Sequence, residues 1–365
     1  MRRMQTREIA THLAEAAHHF PWMGTVTADD LMALIRAELG HEEALDRFLP
    51  YGAHHARALG PCMILHIVSG NTPHAGIQSL IRGLLLGAFN WVKIPSSGLP
   101  EVAAFQEHLP YELARRIIIA EELRGDWLDQ ADAVIVFGRD ETVEHFRKRV
   151  RADQRFIPHA HRLSFGVVFE DPEFCSVADA AKSASLYNQQ GCLSPHLFYV
   201  EPKIARQYAE RLAAAMAEFE KVNPRGPVSL AEQTEISALR KDFAFRASMC
   251  AEGEKPALWE SPDSTSWTVL FDPEPQFMAS CLNRVIYVKP MPADGLPAAV
   301  RRVYKHLSTV GIFPATAENA EKIALTGASR ICPIGEMQFP PLTWHHDAQP
   351  VLLPLVNWVD FEADR

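Results

Sequence analysis

The sequence predicts an α/β protein of two domains built on parallel sheets. Short apolar runs alternate with helix-like segments from residue 62 onward, a pattern typical of parallel strands that helices cover on both faces. The chain of 365 residues is longer than one simple hydrophobic core usually requires. Its composition, 47% hydrophobic and 22% charged, is that of an ordinary globular protein.

The first 60 residues read as helical. Thr27 suits the N-cap of the segment ADDLMALIRAEL, and Gly40 follows that segment as a C-cap. After the strand-like run CMILHIV, Thr72 and Pro73 suit the N-cap and first position of another helix. Three further apolar runs complete the first predicted sheet: WVKI (91–94), RIIIA (116–120) and AVIVF (133–137).

The second half of the chain mixes helices and strands in a different order. SVADAAKSASLY is amphipathic, LFYVE is strand-like, and IARQYAERLAAAMAEFEKV predicts a long helix. Residues 252–276 are rich in proline and acidic residues. A strand-like RVIYVKP, a helical LPAAVRRVYKHLS and a proline-rich tail ending in VLLPLVNWVDFE follow.

Composition narrows the class of protein. A formal net charge of −9 argues against nucleic acid as a main partner. Six cysteines without a CxxC pair fit a reduced cytoplasmic protein better than a disulfide framework. The N-terminus lacks the apolar core of a signal peptide, and Arg82 interrupts the most apolar run, which is too short for a membrane span. We therefore expect a soluble, cytoplasmic protein.

One cysteine stands out by its surroundings. In NQQGCLSPHLFYVE, Cys192 lies between a polar loop and a predicted strand. A lone intracellular cysteine is more often a buried packing residue than a nucleophile. A glycine before it and polar neighbours, at a strand start with exposed backbone N–H groups, favour a stabilised thiolate.

Polar or small residues also follow the strands of the first predicted sheet. Asn71 comes after CMILHIV, Lys93 ends WVKI, and Gly138 follows AVIVF. Ligands bind at this edge of α/β sheets, although a turn asparagine, a solvated lysine and a turn glycine are the alternatives. Neither common phosphate-binding glycine loop is present.

The sixteen histidines include His159 and the pair His345-His346, which precedes Asp347. Adjacent histidines point apart on a helix or strand, so a shared metal would need a loop. Surface or structural histidines are the more common case, and we assign no metal.

Five segments in order resemble the aldehyde dehydrogenase superfamily and, within it, the LuxC-type acyl-CoA reductases, the fatty acid reductases of bioluminescence operons. The resemblance covers roughly residues 50–360. Any one motif is weak, but their order is specific. The segments are IVSGNTPHAGIQSLIRGLLLGAFNWVKIPSS, DAVIVFGRDETVEHFR, FIPHAHRLSFGVVFE, NQQGCLSPHLFYVE and RICPIGEMQFPPLTWHHD.

The resemblance implies roles for single residues. Cys192 stands at the catalytic nucleophile and Asn71 at the amide of the oxyanion hole. Lys93 stands at the lysine that contacts the adenosine ribose. Ser96 replaces a glutamate that chelates the ribose hydroxyls in many NAD-dependent members, which favours NADPH because a charge repelling the 2′-phosphate is absent. The remaining cofactor contacts implied are Val68, Ser69, Gly138 and Arg139.

Two departures from the superfamily pattern bear on the reaction. Val143 stands where the pyrophosphate turn usually has a second glycine, so the phosphate contacts are expected to differ. His159 stands near the general-base glutamate of hydrolytic members. Without that carboxylate, activation of water is disfavoured, which points to reduction of a thioester.

The resemblance implies NADPH-dependent reduction of a fatty acyl thioester, acyl-CoA or acyl-protein, to the fatty aldehyde through a cysteine acyl-enzyme. An acyltransferase or acyl-protein synthetase is a possible partner, and a homodimer or higher homo-oligomer is expected. Two alternatives remain: a dehydrogenase of the same fold running oxidatively, and a non-catalytic acyl-carrying subunit.

The predicted domains follow from the same resemblance. Residues 1–161 form the Rossmann-like cofactor domain, with a bridging segment near 42–61. Residues 162–345 form the catalytic domain that carries Cys192, and residues 346–365 form a C-terminal strand region for oligomerisation.

Overall fold

A computed structural model describes residues 4–70, 72–250, 254–292 and 295–362. The chain divides into two compact units, a first unit of residues 1–161 with 339–365 and a second unit of residues 162–338. The predicted catalytic domain extended to residue 345. Residues 339–345 instead belong to the first unit, because the Gln78 and Arg82 side chains donate hydrogen bonds to the carbonyls of Pro340 and Leu342.

The first unit contains seven helices and eight strands among its described residues. In chain order they are α1 Thr6–Ala17, α2 Ala28–Leu39, β1 Leu49–Tyr51, β2 His54–Leu59, β3 Met63–Ile67, α3 Pro73–Leu85, β4 Phe89–Lys93, α4 Pro100–Glu107, α5 Tyr111–Ala114, β5 Ile117–Ala120, α6 Trp127–Gln130, β6 Ala133–Phe137, α7 Asp140–Arg147, β7 Arg155–His159 and, from the end of the chain, β15 Asn357–Phe361.

Five of these strands form a parallel sheet in the order β5-β4-β3-β6-β7. Successive side chains of a strand point to opposite faces, and both faces are buried. Ile135 and Phe137 of β6 pack in the core that α1 to α4 share, whereas Val134 and Val136 pack in the core of α6 and α7. The apolar runs from residues 62 to 137 therefore form the predicted parallel sheet.

The residues predicted to begin and end helices lie at the helix ends in the structure. Thr27 forms a capping box with Asp30 at the start of α2. Gly40 ends that helix in the left-handed region, with φ 82°, where a residue without a side chain is least strained. Pro73 occupies the first turn of α3 after Thr72.

Residues 49–59 are not helical, contrary to prediction. They form β1 and β2, which join β15 in a three-stranded antiparallel sheet of order β1-β2-β15. Of the two strands that pair with β2, β15 lies about 300 residues away in the chain, with Leu59 opposite Asn357. Because that partner is distant in sequence, the local pattern HHARAL does not reveal the strand.

The second unit contains five helices and seven strands in the part of it that is described. They are β8 Leu163–Val168, α8 Val177–Ser185, β9 Pro195–Val200, α9 Ala205–Val222, α10 Leu230–Met249, β10 Ala257–Glu260, β11 Thr268–Phe271, β12 Val285–Pro290, α11 Leu296–Val300, β13 Leu307–Phe313, α12 Ala317–Ala324 and β14 Arg330–Pro333. The strands form one sheet in the order β10-β11-β12-β9-β8-β13-β14, in which only the edge strand β10 is antiparallel.

One segment of the second unit was described from the sequence by composition alone, and another differs from prediction. The acidic, proline-rich stretch 252–276 contributes β10 and β11. The helix predicted over LPAAVRRVYKHLS ends at Val300, and β13 begins at Leu307. This strand lies between β8 and β14, and its place in the sheet outweighs the helical pattern of its first residues.

No helix among the described residues has the length and apolar character needed to cross a membrane.

Candidate active site

Cys192 lies in a tight turn at the amino end of β9. The backbone N–H of Ser194 donates to the carbonyl of Gly191 at 3.0 Å, and Cys192 is exposed. Its own carbonyl accepts a hydrogen bond of 2.7 Å from Ser164 Oγ on β8. Gln338 Nε2 donates to Ser194 Oγ at 2.8 Å. The turn is therefore fixed to its neighbours while its cysteine remains accessible to solvent.

Two of the other cysteines, Cys281 and Cys332, are less exposed than Cys192. Burial raises the pKa of the Cys281 and Cys332 thiols to about 11, so neither forms the reactive thiolate at neutral pH. Cys62 and Cys175 are also exposed. Exposure therefore leaves Cys62, Cys175 and Cys192 as candidate nucleophiles.

The cofactor residues predicted by resemblance lie along one edge of the five-stranded sheet. Val68 and Ser69 follow β3, Lys93 ends β4, and Gly138 and Arg139 follow β6. These are the three central, adjacent strands, and their carboxyl ends share an edge. The N–H of Val68 donates to the carbonyl of Lys93 at 2.9 Å. The structure thus brings these residues to the place where α/β sheets bind ligands.

Ser96 is exposed, three residues beyond the end of β4. Asn71, the predicted oxyanion donor, lies outside the described residues.

The turn after β6 departs from a simple phosphate-binding loop. A Cβ on Gly138 would lie 3.1 Å from the Thr142 side chain, so the turn packs closely on α7. The first turn of α7 carries Asp140 and Glu141, which oppose an anion at the helix N-terminus. Val143 is buried in the core. That the phosphate contacts differ from the superfamily pattern stays a prediction.

His159 has a fixed environment at the end of β7. Its Nδ1 lies 2.7 Å from Asp347 Oδ2, and the two side chains are 12% and 3% exposed. Its ring stacks on Phe137 at 4.4 Å and on His346 at 4.1 Å between centroids. A carboxylate that accepts from Nδ1 selects the tautomer and orientation of the ring.

His159, His346 and Asp347 form the one group of potential metal ligands among the described residues, with ligand atoms within 4.8 Å of one another. A tetrahedral zinc site with bonds near 2.1 Å needs lone pairs that converge. The two imidazole rings instead stack with an interplanar angle of 30°, and His159 Nδ1 is already bonded to Asp347. A hydrogen-bonded pair of His159 and Asp347 describes the geometry better than a metal site.

Sequence reasoning missed this pair. It identified the run of His345, His346 and Asp347 and the position of His159 separately. The separation of 188 residues between His159 and Asp347 left no local signal that would join them. The glutamate of hydrolytic members is absent at His159, as the sequence shows, but the hydrogen bond to Asp347 gives this histidine a carboxylate neighbour that the sequence did not indicate.

The family model for acyl-CoA reductase (LuxC) matches residues 2–358 of the chain. The chain belongs to the LuxC family. This confirms the family predicted from the five motifs.

Relatives of this LuxC-family chain include long-chain acyl-protein thioester reductases. The enzyme from Aliivibrio fischeri is 24% identical, over 99% of this chain and 78% of its own length. That from Photorhabdus luminescens is 22% identical, over 91% of this chain and 70% of its own length.

Solved structures that resemble the LuxC-family chain include aldehyde dehydrogenases. The NAD-dependent benzaldehyde dehydrogenase from Corynebacterium glutamicum has a TM-score of 0.63 at 13% identity, with 99% of this chain and 86% of that chain covered. PnpE, solved with nicotinamide adenine dinucleotide, has a TM-score of 0.63 at 14% identity, with 99% and 87% covered. These likenesses confirm the predicted aldehyde dehydrogenase-like fold.

Proposed function

We propose that this protein reduces a long-chain fatty acyl thioester to the fatty aldehyde through an acyl-enzyme on Cys192, with NADPH as the reductant. The observation that carries the proposal is the exposed Cys192 in its fixed turn at the head of β9, in a chain of the LuxC family. The relatives named as long-chain acyl-protein thioester reductases support the substrate class.

The first chemical step is acyl transfer. The thiolate of Cys192 attacks the thioester carbonyl, and the resulting oxyanion takes hydrogen bonds from the backbone N–H of Cys192 and the amide of Asn71, a role that the resemblance gives them. The C–S bond to the donor breaks, and the donor thiol leaves with the proton that Cys192 released. A thioester on Cys192 remains.

NADPH, when bound, supplies the hydride that turns this thioester into a thiohemiacetal. The Cys192 sulfur then leaves as the thiolate, the aldehyde is released, and a proton from solvent completes the balance. A thioester accepts hydride where a free carboxylate does not, so the covalent step prepares the substrate for reduction.

Lys93, with Val68 and Ser69 beside it, would hold the adenosine ribose. Gly138 and Arg139 would hold the phosphates, where the Arg139 guanidinium would have to offset the carboxylates of Asp140 and Glu141 in the first turn of α7. The half-buried Lys93 at the carboxyl edge of the sheet supplies positive charge suited to an anionic nucleotide. Ser96 leaves room for a 2′-phosphate, which favours NADPH over NADH.

The pair of His159 and Asp347 changes one argument for reduction. An imidazole oriented by a carboxylate can act as a base, so the absence of a glutamate at residue 159 does not by itself disfavour hydrolysis. The preference for reduction rests instead on membership of the LuxC family. Release of free fatty acid from acyl-CoA in the absence of NADPH measures the hydrolytic share directly.

The decisive experiment is intact-mass analysis after incubation with acyl-CoAs of several chain lengths and no NADPH. A thioester adduct should form on Cys192, and addition of NADPH should release aldehyde. Cys192→Ser should abolish both while the fold and NADPH binding persist, and Cys175→Ser, at another exposed cysteine, is the matched control. An adduct on Cys62 or Cys175 in place of Cys192 would falsify the assignment.

The oxidative alternative is tested with NADP⁺ and a fatty aldehyde, since steady release of acid would favour it. Failure of the protein to bind either nicotinamide nucleotide would favour the acyl-carrying subunit. A loss of roughly 10²-fold in rate is expected for Asn71→Ala, the scale of one oxyanion donor.

A further inference from the structure

Two tracts of left-handed backbone lie next to each other in the second unit, and the first of them ends three residues before Cys192. The first comprises Tyr187, Asn188 and Gln189, with φ between 51° and 62°, and the second comprises Leu282, Asn283 and Arg284, with φ between 55° and 66°. Residues other than glycine rarely adopt this region, and bulky ones are strained there. Such strain persists only where surrounding contacts hold it, and it concentrates at functional sites.

The hydrogen bonds that hold these tracts are centred on Gln189. Its side chain is fully buried. Its Nε2 donates to the carbonyl of Pro195 at 2.8 Å and to that of Val285 at 2.9 Å. Its Oε1 accepts from the backbone N–H of Val285 at 3.0 Å. One amide thereby bonds the first residues of β9 and β12.

Two further bonds join residues that flank the first tract to the second tract. Gln190 Nε2 donates to Asn283 Oδ1 at 2.9 Å, and Arg284 Nε donates to the carbonyl of Ser185 at 3.1 Å. The segment that leads into Cys192 is therefore tied to the segment that leads into β12.

Gln189 precedes Cys192 by three residues, and Pro195 follows it by three. The bond between Gln189 and Pro195 thus closes the stretch of chain that contains the thiol. We propose that Gln189 is a positioning residue for Cys192, holding its turn in the conformation that acyl transfer requires. This inference rests on the proposed function, because it explains the strained backbone by the reaction proposed for Cys192.

Two substitutions test Gln189. Gln189→Met has a similar shape and makes none of the three bonds. Gln189→Glu, kept protonated by burial against two carbonyl oxygens, keeps the acceptor for the N–H of Val285 and one of the two donated bonds. The first measurement is the rate at which iodoacetamide alkylates Cys192 across a pH series, without substrate or nucleotide. The second is acyl-enzyme formation and the kcat/KM for NADPH-dependent aldehyde release, beside the Kd of NADPH.

Gln189→Met is expected to slow acyl-enzyme formation by roughly ten- to a hundred-fold, the scale of a small misplacement of a reacting group. Alkylation should slow and its pH profile shift, and the Kd of NADPH should not change. The rates of alkylation and acyl-enzyme formation in Gln189→Glu should lie between those of Gln189→Met and the wild type. If Gln189→Met does not fold, the alkylation and acylation rates of Gln189→Glu test the inference.

The matched control is Gln154→Met in the first unit. Gln154 is also buried, and its Nε2 donates to the carbonyls of Leu128 and Ala131 at 2.6 Å each. This control should lose stability without changing the alkylation of Cys192.

A folded Gln189 variant with wild-type alkylation and acylation rates overturns the inference. A wild-type protein that never acylates Cys192 overturns the proposed function instead. In that case, slow alkylation in the Gln189 variants would still show that Gln189 positions the thiol.

Discussion

Nδ1 of His159 and Oδ2 of Asp347 lie 2.7 Å apart, although 188 residues separate them in the chain. Asp347 has a left-handed backbone, with φ 54°, and its side chain is almost completely buried. The bond joins the end of β7 to the segment that follows the second unit in sequence. It holds the imidazole against two other rings, those of Phe137 and His346, which also contact each other.

Removing the donor of this bond should cost stability. His159→Phe keeps a ring in the stack but removes the partner of a buried carboxylate, and the free energy of unfolding should fall by roughly 1–3 kcal/mol. Asp347→Asn should cost less, because asparagine tolerates left-handed φ and its amide oxygen can still accept from Nδ1. Urea unfolding at pH 7 measures both. Equal losses would show that the carboxylate charge, not the bond, stabilises the pair.

Cofactor preference should depend on Ser96. We expect the wild type to have the higher kcat/KM with NADPH. Ser96→Glu should shift the ratio toward NADH at least roughly tenfold, because a carboxylate near a 2′-phosphate costs about 1–3 kcal/mol at an effective dielectric near 20. The exposed neighbour Ser97 supplies the control, Ser97→Glu, which should leave the ratio unchanged. A shift in the control alone would place the ribose contact one residue later.

Acid should destabilise the first unit through His66. Burial lowers the pKa of His66 from 6.5 to about 4, and Asn90 opposes the shift only in part. The unfolded chain binds the proton near pH 6.5 and the folded chain only near pH 4. The free energy of unfolding therefore decreases as pH falls through this window, by about 3 kcal/mol from this group.

His66→Gln should flatten that part of the pH dependence, which urea unfolding between pH 7 and 4 would record. His306→Gln, at an exposed histidine, is the control and should leave the curve as it is. An unchanged slope in His66→Gln would mean that other groups carry the acid sensitivity.

The C-terminal strand should contribute to self-association. β15 lies at the edge of the three-stranded sheet, and its Trp358 and Phe361 are 41% and 51% exposed. An exposed apolar edge strand is a template for pairing with another chain. Trp358→Lys should lower the association constant measured by sedimentation velocity. Tyr111→Lys, at an exposed tyrosine of α5, should not, and a monomeric wild type would contradict the predicted dimer.

The sequence by itself determined those features that depend on neighbouring residues. The apolar runs that became β3, β4 and β6 are largely buried on both faces, so their composition alone indicates strands. The run of β5 is equally apolar, although this edge strand is only partly buried. Thr27 and Gly40 end their helix through bonds within a few residues of themselves. The glycine and polar loop before Cys192 similarly marked an exposed turn at a strand start. Motif order supplied the family.

Tertiary structure decided the features whose hydrogen-bond partners are distant in the chain. The strand β2 pairs with its neighbour β1 but also with the distant β15, and β13 replaces the end of a predicted helix because two strands flank it. Gln189 meets Val285 across 96 residues, and His159 meets Asp347 across 188. A local pattern records the preference of a segment for helix or strand, whereas these contacts depend on which segments the folded chain brings together. That is why the sequence located the thiol, and only the fold identified the residues that hold its turn.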